Sequence, residues 1–228
     1  TAFRKKRHDD AYTPGGRCGA RPNRAAIVYA GLVRQAFPGL PVVLGGIEAS
    51  LRRAAHYDFW TDALRRPILL DAKADLVVCG MAERQVVAIA ERLRRSGGEE
   101  ATGHGRGAGA RDALRGLPGT CWIGDEEDIP AGAEILRLPS FEEIQGEAAR
   151  LMPATLLLER QVHEGAWAIQ ACGGRSVVFA PPAAPLTTAE MDRLYGLPFA
   201  RAPHPAYPEA IPAVAMIQFS LSSHRGCS

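Results

Sequence analysis

Residues 74–98 read ADLVVCGMAERQVVAIAERLRRSGG, and the parsing of that stretch decides the fold. Its first part, ADLVVCG, is a short apolar run rich in β-branched side chains, which suits a strand covered on both faces of a sheet. Gly80 ends the run. From there the spacing becomes helical, with Val86, Val87, Ile89, Ala90 and Leu93 expected to face a core, and Gly97 and Gly98 stop the helix. An apolar strand passing through a glycine turn into an amphipathic helix is the building unit of an α/β layer.

The same vocabulary recurs on either side. NRAAIVYAGLVRQAF places Ile27, Val28, Leu32, Val33 and Phe37 on one helical face behind Asn23 as N-cap, and Pro38–Gly39 stop it. PVVLGG and GTCWIG read as further strands. After Gly124 the character shifts to DEEDIPAGAEILRLPS, four consecutive acids and then a short strand. Ser140 then caps the helix FEEIQGEAARLM, and Pro153 is expected to interrupt it. ATLLLERQVHEGAWAIQA reads as resumed helix ended by Gly173 and Gly174, followed by a strand in RSVVF, a short helix behind a threonine cap, and a Pro-rich traverse. That traverse leads to AVAMIQFSLSS, expected as a last strand. Three segments result: an α/β domain over 1–124, a connector with helices over 125–210, and a strand with the start of a loop over 211–228.

A chain of 228 residues with 46% apolar content can bury a sizeable core. Against 25 acids stand 27 lysines and arginines, a formal charge of +2 and too little for a nucleic-acid footprint by charge alone. No apolar run approaches the roughly 18 residues of a membrane span, and TAFRKKRHDD lacks the apolar stretch of a signal peptide. A soluble, cytoplasmic protein is the expectation. Cys18, Cys79, Cys121, Cys172 and Cys227 form no C-x-x-C pair, and an odd, scattered set points to a reducing compartment. The start at Thr1 and the end just past an apolar run suggest a piece cut from a longer chain.

Several signals compete with blander readings. Arg4 to Arg7 can bind phosphate, yet four charges read as a solvated run. Gly45–Gly46 and Cys79–Gly80 would let a ligand approach the carboxyl edge of the sheet, or simply make tight turns, which is the favoured reading. Gly105, Gly107 and Ala110 carry the G-x-G-x-x-A spacing of a dinucleotide loop without the strand that must precede it, so the stretch reads as a flexible insertion. Asp125, Glu126, Glu127 and Asp128 lack the alternation of a calcium loop and read as a solvated turn. In HYDFW, His56, Tyr57, Asp58 and Trp60 suit either a pocket lining or ordinary packing, with packing favoured, as it is for His204. Zinc-type histidine spacing, the nucleophile elbow and the P-loop are all absent from the sequence.

The chain resembles a known family, the bacterial YgiQ-type (UPF0313) radical S-adenosylmethionine proteins. The resemblance is carried, in family order, by DDAYTPGG, RPNRAAIVYAGLVRQAFP, PVVLGGIEASLRRAAHYDFW, RRPILLDAKADLVVCGMAER, ALRGLPGTCWI, LPSFEE, PPAAPLTTAEMDRLYGLPFARAPHPAYPEAIPAVAMIQFS and HRGC. It implies a Rossmann-like, cobalamin-binding-domain-like open parallel sheet. A helical and Pro-rich connector would then lead into the first strand of a radical SAM β/α barrel. It implies that Cys227 is the first thiolate of a C-x3-C-x2-C trio holding a [4Fe–4S] cluster, the other two lying past the C-terminus. S-adenosylmethionine would bind the open iron and give a 5′-deoxyadenosyl radical. An electron donor such as a flavodoxin or ferredoxin is the implied partner. The D-x-H-x-x-G signature of cobalamin is absent, which argues against that cofactor. Ser228 stands where the family pattern has an aromatic residue, and the stretch from Gly97 to Ala110 is longer and richer in glycine. Without the resemblance, the residues leave two other roles open: a Rossmann-like module binding a nucleotide or corrinoid, or a structural accessory domain recognisable by an exposed apolar face.

Overall fold

The computed structural model describes residues 9–96 and 107–221. They fall into two compact units, residues 26–185 and, separately, residues 9–25 with 186–221.

The larger unit is built on one six-stranded sheet. In chain order the elements are α1 (Ala25–Ala36), β1 (Val43–Leu44), α2 (Gly46–Leu51), β2 (His56–Asp58), β3 (Ala63–Arg65), α3 (Ile68–Asp71), β4 (Leu76–Val78), α4 (Glu83–Ser96) and α5 (Gly107–Asp112). They continue with β5 (Thr120–Ile123), β6 (Ile135–Arg137), α6 (Phe141–Gly146), α7 (Leu151–Glu164), β7 (Trp167–Cys172) and β8 (Arg175–Phe179). The strand order is β1-β4-β5-β8-β7-β6, while β2 and β3 form a separate hairpin. The α/β class is as expected, but the sheet is mixed rather than parallel. β1 with β4 and β6 with β7 are parallel, and the three central pairings are antiparallel. A two-residue turn at Gly173–Gly174 joins β7 to β8, and so short a link permits only an antiparallel pair.

The expected boundary at 124–125 falls inside this sheet. β5 pairs with β8 through Cys121, Trp122 and Ile123, so residues on both sides of position 124 share one hydrogen-bonded layer. Gly124 ends a strand, and the composition shift after it marks a loop.

Pleating sorts the strand residues onto two covered faces. Val77, Cys121, Val177, Phe179 and Ala168 pack on one side with α1, α3 and α7 residues, while Leu76, Val78, Trp122, Val178 and Ile169 pack on the other with Ile89, Leu114 and Leu117. Each such large side chain contributes about 2–3 kcal/mol by leaving water. Trp122 meets Trp167 edge to face at 6.0 Å.

Two helices turn a different stripe inward from the one their spacing suggests. On α1 it is Ala26, Ile27, Ala30 and Val33 that pack, leaving Val28, Leu32 and Phe37 exposed. On α4 Ile89 and Leu93 face the core as expected, whereas Val86, Val87 and Ala90 are exposed and Gln85 is buried. The Gln85 amide donates to the Pro118 carbonyl at 3.1 Å, supplying a partner to a backbone group that enters β5.

Other differences have local causes. α6 begins as expected at Ser140, whose hydroxyl accepts from Glu143 N–H at 3.1 Å while Glu143 accepts from Ser140 N–H at 2.7 Å. The break comes at Glu147, before Pro153, which lies in the first turn of α7 where its missing N–H costs nothing. α7 stops at Gly165, with φ of 70°, and WAIQAC is a strand rather than helix. Only glycine enters that left-handed turn freely. The buried amide of Gln170 in β7 then donates to Pro139 C=O at 2.9 Å and accepts from Ala55 N–H at 2.8 Å.

Asp75 ties the first edge together. Its buried carboxylate accepts from Val42 N–H at 2.7 Å, from Arg34 at 3.0 Å and from Arg111 at 2.6 Å. One side chain so joins the start of β4, the lead into β1, α1 and α5.

In the smaller unit a 3-10 turn at Pro14–Gly16 is fastened by Gly15 N–H to Ala210 C=O at 2.8 Å, and Ala213 N–H donates to Ala11 C=O at 2.8 Å. Arg21 grips Asp10 with two hydrogen bonds of 2.8 Å. Helix α8 (Thr188–Tyr195) has the expected threonine cap, Thr187. The run expected as a last strand is instead α9 (Pro212–Ile217). Pro212 starts it with φ already set, alanines favour the helix, and no strand among the described residues pairs with it.

Asp75→Ala is expected to lower the unfolding free energy by about 3 kcal/mol, since it strands a buried backbone donor and two guanidinium groups. Asp75→Asn should cost less because it keeps an acceptor for Val42. Urea titrations of the three proteins measure the difference; equal midpoints would remove Asp75 from this role.

Candidate functional site

The carboxyl ends of β1 and β4 lie side by side because the two strands are parallel neighbours. Each runs into a glycine and then a helix. Gly46 (φ 82°) and Gly80 (φ 71°) are held in the left-handed region, so glycine is required there by backbone shape. The Gly80 N–H donates to Ser50 Oγ at 3.1 Å, which ties the second turn to α2. These are tight turns, the reading the sequence favoured.

This edge carries two thiols. Cys79 follows β4, with its N–H donating to Gly119 C=O at 2.8 Å, and Cys121 lies in β5 opposite Val77. The antiparallel register puts both side chains on one face, and the sulfurs are 3.3 Å apart. Cys79 is half-buried and Cys121 is buried. The hydrogen bond from Cys121 favours a thiolate at Cys79 and lowers its pKa, against burial, which raises it, and with a smaller lowering from the Arg53 guanidinium. Burial pushes the Cys121 thiol well above its ordinary value. Arg53 is itself anchored to Ser50 C=O at 2.5 Å. No sequence spacing announces this pair, because 42 residues separate the cysteines. Only the register of β4 against β5 brings them together. Cys172 is buried in β7, where desolvation raises its pKa.

The other sequence candidates are dispersed. The acids after Gly124 serve local structure: Glu126 takes two hydrogen bonds from Arg137 at 3.0 and 2.7 Å, and Asp128 pairs with Arg115 at 2.9 Å. Beside them is a cleft of about 210 Å³ lined by Arg115, Asp128 and Arg175 among others, smaller than the roughly 300 Å³ at which ligand pockets begin. In HYDFW, Asp58 is buried and accepts from Trp60 N–H at 3.1 Å and Thr61 Oγ1 at 2.8 Å, shaping the β2–β3 turn. Phe59 and Trp60 stack at 4.9 Å with both rings exposed, so this cluster is not packed away as expected. His204 accepts from Ala206 N–H at 3.2 Å. Arg4 to Arg7, Gly105 and Cys227 lie outside the described residues; Gly107 and Ala110 belong to α5.

A four-iron cluster needs three convergent thiolates. Among the described residues no three His, Cys, Asp or Glu side chains gather as a metal site, so they do not fit such a cluster. Nor is any helix among them long and apolar enough to cross a membrane.

Comparison with known proteins gives a consistent result. Residues 1–220 match the family model described as radical SAM N-terminal. The chain is 48% identical over 230 residues to a UPF0313 protein of Geobacter sulfurreducens, covering all of this chain and 36% of that protein. To UPF0313 proteins of Bradyrhizobium diazoefficiens and Clostridium botulinum it is 45% and 42% identical, covering all of the chain and 35% and 34% of theirs. The chain thus spans about a third of the length of these curated relatives. No solved structure matches it.

His56 gives this region a pH dependence. Desolvation lowers its pKa below the ordinary 6.5, against an Nδ1 contact of 3.0 Å to Ala54 C=O. The unfolded chain therefore takes up the proton first, so stability is full above about pH 6.5 and falls as pH drops through the lowered value. His56→Asn should flatten the decline of urea midpoint between about pH 7.5 and 5.5. A decline as steep as that of the unsubstituted protein would assign it to other groups.

Proposed function

The chain belongs to the radical SAM N-terminal family, and on that premise we propose that it is the N-terminal part of a radical SAM enzyme. The full-length protein would make a 5′-deoxyadenosyl radical from S-adenosylmethionine at a [4Fe–4S] cluster. Cys227 would be the first cluster ligand, with two further cysteines beyond Ser228. The observation carrying this reading is the match across residues 1–220 together with 42–48% identity to relatives about three times as long. A single-electron donor of the flavodoxin or ferredoxin class would supply the reducing equivalent, in the cytoplasm.

Within that enzyme the α/β layer is a structural accessory rather than a ligand-binding module. Outward apolar side chains on its helices support this. Ile47 and Leu51, one turn apart on α2, are 74% and 72% exposed, and Val28, Tyr29 and Leu32 share the outer side of α1. Soluble domains keep such side chains sparse unless another surface covers them.

In the full-length protein, reconstituted with iron and sulfide without oxygen, Cys227→Ala should abolish the brown chromophore and most bound iron. Cys79→Ala, Cys121→Ala and Cys172→Ala should keep both, and the 228-residue chain alone should stay colourless. Stoichiometric iron in the Cys227→Ala protein would reject the ligand assignment. For the accessory role, carbene footprinting should label Ile47 and Leu51 strongly in the 228-residue chain and several-fold less in the full-length protein. Equal labelling would reject it.

A further inference from the structure

We propose that Cys79 and Cys121 form a redox-active dithiol that closes to a disulfide on reaction with a hydroperoxide. The geometry carries this independently of the radical chemistry. The sulfurs already sit 3.3 Å apart on one face of adjacent antiparallel strands, about 1.2 Å beyond the ~2.05 Å of a disulfide bond. The two thiols are unequal in the manner such a reaction needs. Cys79 is half-buried at a strand end, and the charge of Arg53 favours its thiolate. Cys121 is buried behind it and keeps its proton. A partly buried, acidified thiol backed by a fully buried one separates the group that meets the oxidant from the group that resolves the product.

The step balances as a two-electron oxidation. The Cys79 thiolate attacks one oxygen of hydrogen peroxide, the O–O bond breaks, and Cys79 sulfenic acid and hydroxide result. The Cys121 sulfur then attacks the Cys79 sulfur, its proton and the sulfenic hydroxyl leave as water, and the S–S bond forms. Both sulfurs are oxidised, and the peroxide is reduced to hydroxide and water. The bond would link the end of β4 to β5 beside the Gly80 turn, between strands whose backbones are already paired.

Peptide mapping tests the proposal. The reduced protein is exposed anaerobically to one equivalent of hydrogen peroxide, alkylated and cut with trypsin, which places Cys79 in residues 74–84 and Cys121 in residues 116–137. The expected product joins these two peptides, two hydrogens lighter than their sum, and a phosphine reductant separates them. In Cys121→Ala the reaction should stop at Cys79 sulfenic acid, trapped by dimedone. In Cys79→Ala, Cys121 should remain a thiol, and in Arg53→Met the linked peptide should form several-fold more slowly. Circular dichroism checks that each variant is folded; the unsubstituted protein supplies the deciding result whether or not they are. Two free thiols at a peroxide dose that oxidises exposed Cys18 would overturn the proposal. So would linkage of Cys79 to another cysteine, or dimedone trapping at Cys79 in the unsubstituted protein as complete as in Cys121→Ala.

Discussion

One buried carboxylate fixes the edge on which the α/β layer is assembled. Asp75 stands immediately before β4, with its side chain 5% exposed, and binds the backbone leading into β1 and a guanidinium on each of α1 and α5. A desolvated carboxylate is tolerable only when its oxygens are occupied by strong donors. Three such donors converge from segments far apart in sequence, so the position of β4 is set by charge as well as by apolar burial. β1 has only two residues and would be a weak partner for β4 without this clamp.

From that edge the rest follows by pairing. β4 is buried on both faces and sets the register of β5, and that register alone places Cys121 beside Cys79. Across the sheet the β7–β8 hairpin completes the layer, and Gln170 carries backbone groups of Ala55 and Pro139 into it through one fully buried amide. Asp75 and Gln170 thus do similar work at opposite ends of the strand order. Each is a polar side chain kept inside because it satisfies backbone that turns away from the sheet.

The family and the fold answer different questions. Identity over the whole chain establishes kinship with UPF0313 proteins. The described residues show a mixed sheet with outward apolar helix faces and a thiol pair at a strand edge. Cluster chemistry is proposed for residues outside that frame, and the thiol pair belongs to the frame itself.

Local sequence determined the strands at Leu76–Val78, Thr120–Ile123 and Arg175–Phe179 and the helix starts at Ser140 and Thr187, because β-branched runs and capping boxes act over a few neighbouring residues. It also displayed the family pattern that the comparisons bear out. What it left to tertiary structure were choices between near-equal alternatives. α1 and α4 each offer two overlapping apolar stripes, and contact with the sheet selects the one holding Ala30 or Ile89. Residues 167–172 are strand because β6 and β8 flank them, and residues 212–217 are helix with no strand beside them among the described residues. The parallel sense, the Asp75 clamp and the Cys79–Cys121 contact depend on which strands become neighbours. Strand neighbours are chosen by burial summed over the whole layer, a quantity that no short window of sequence contains.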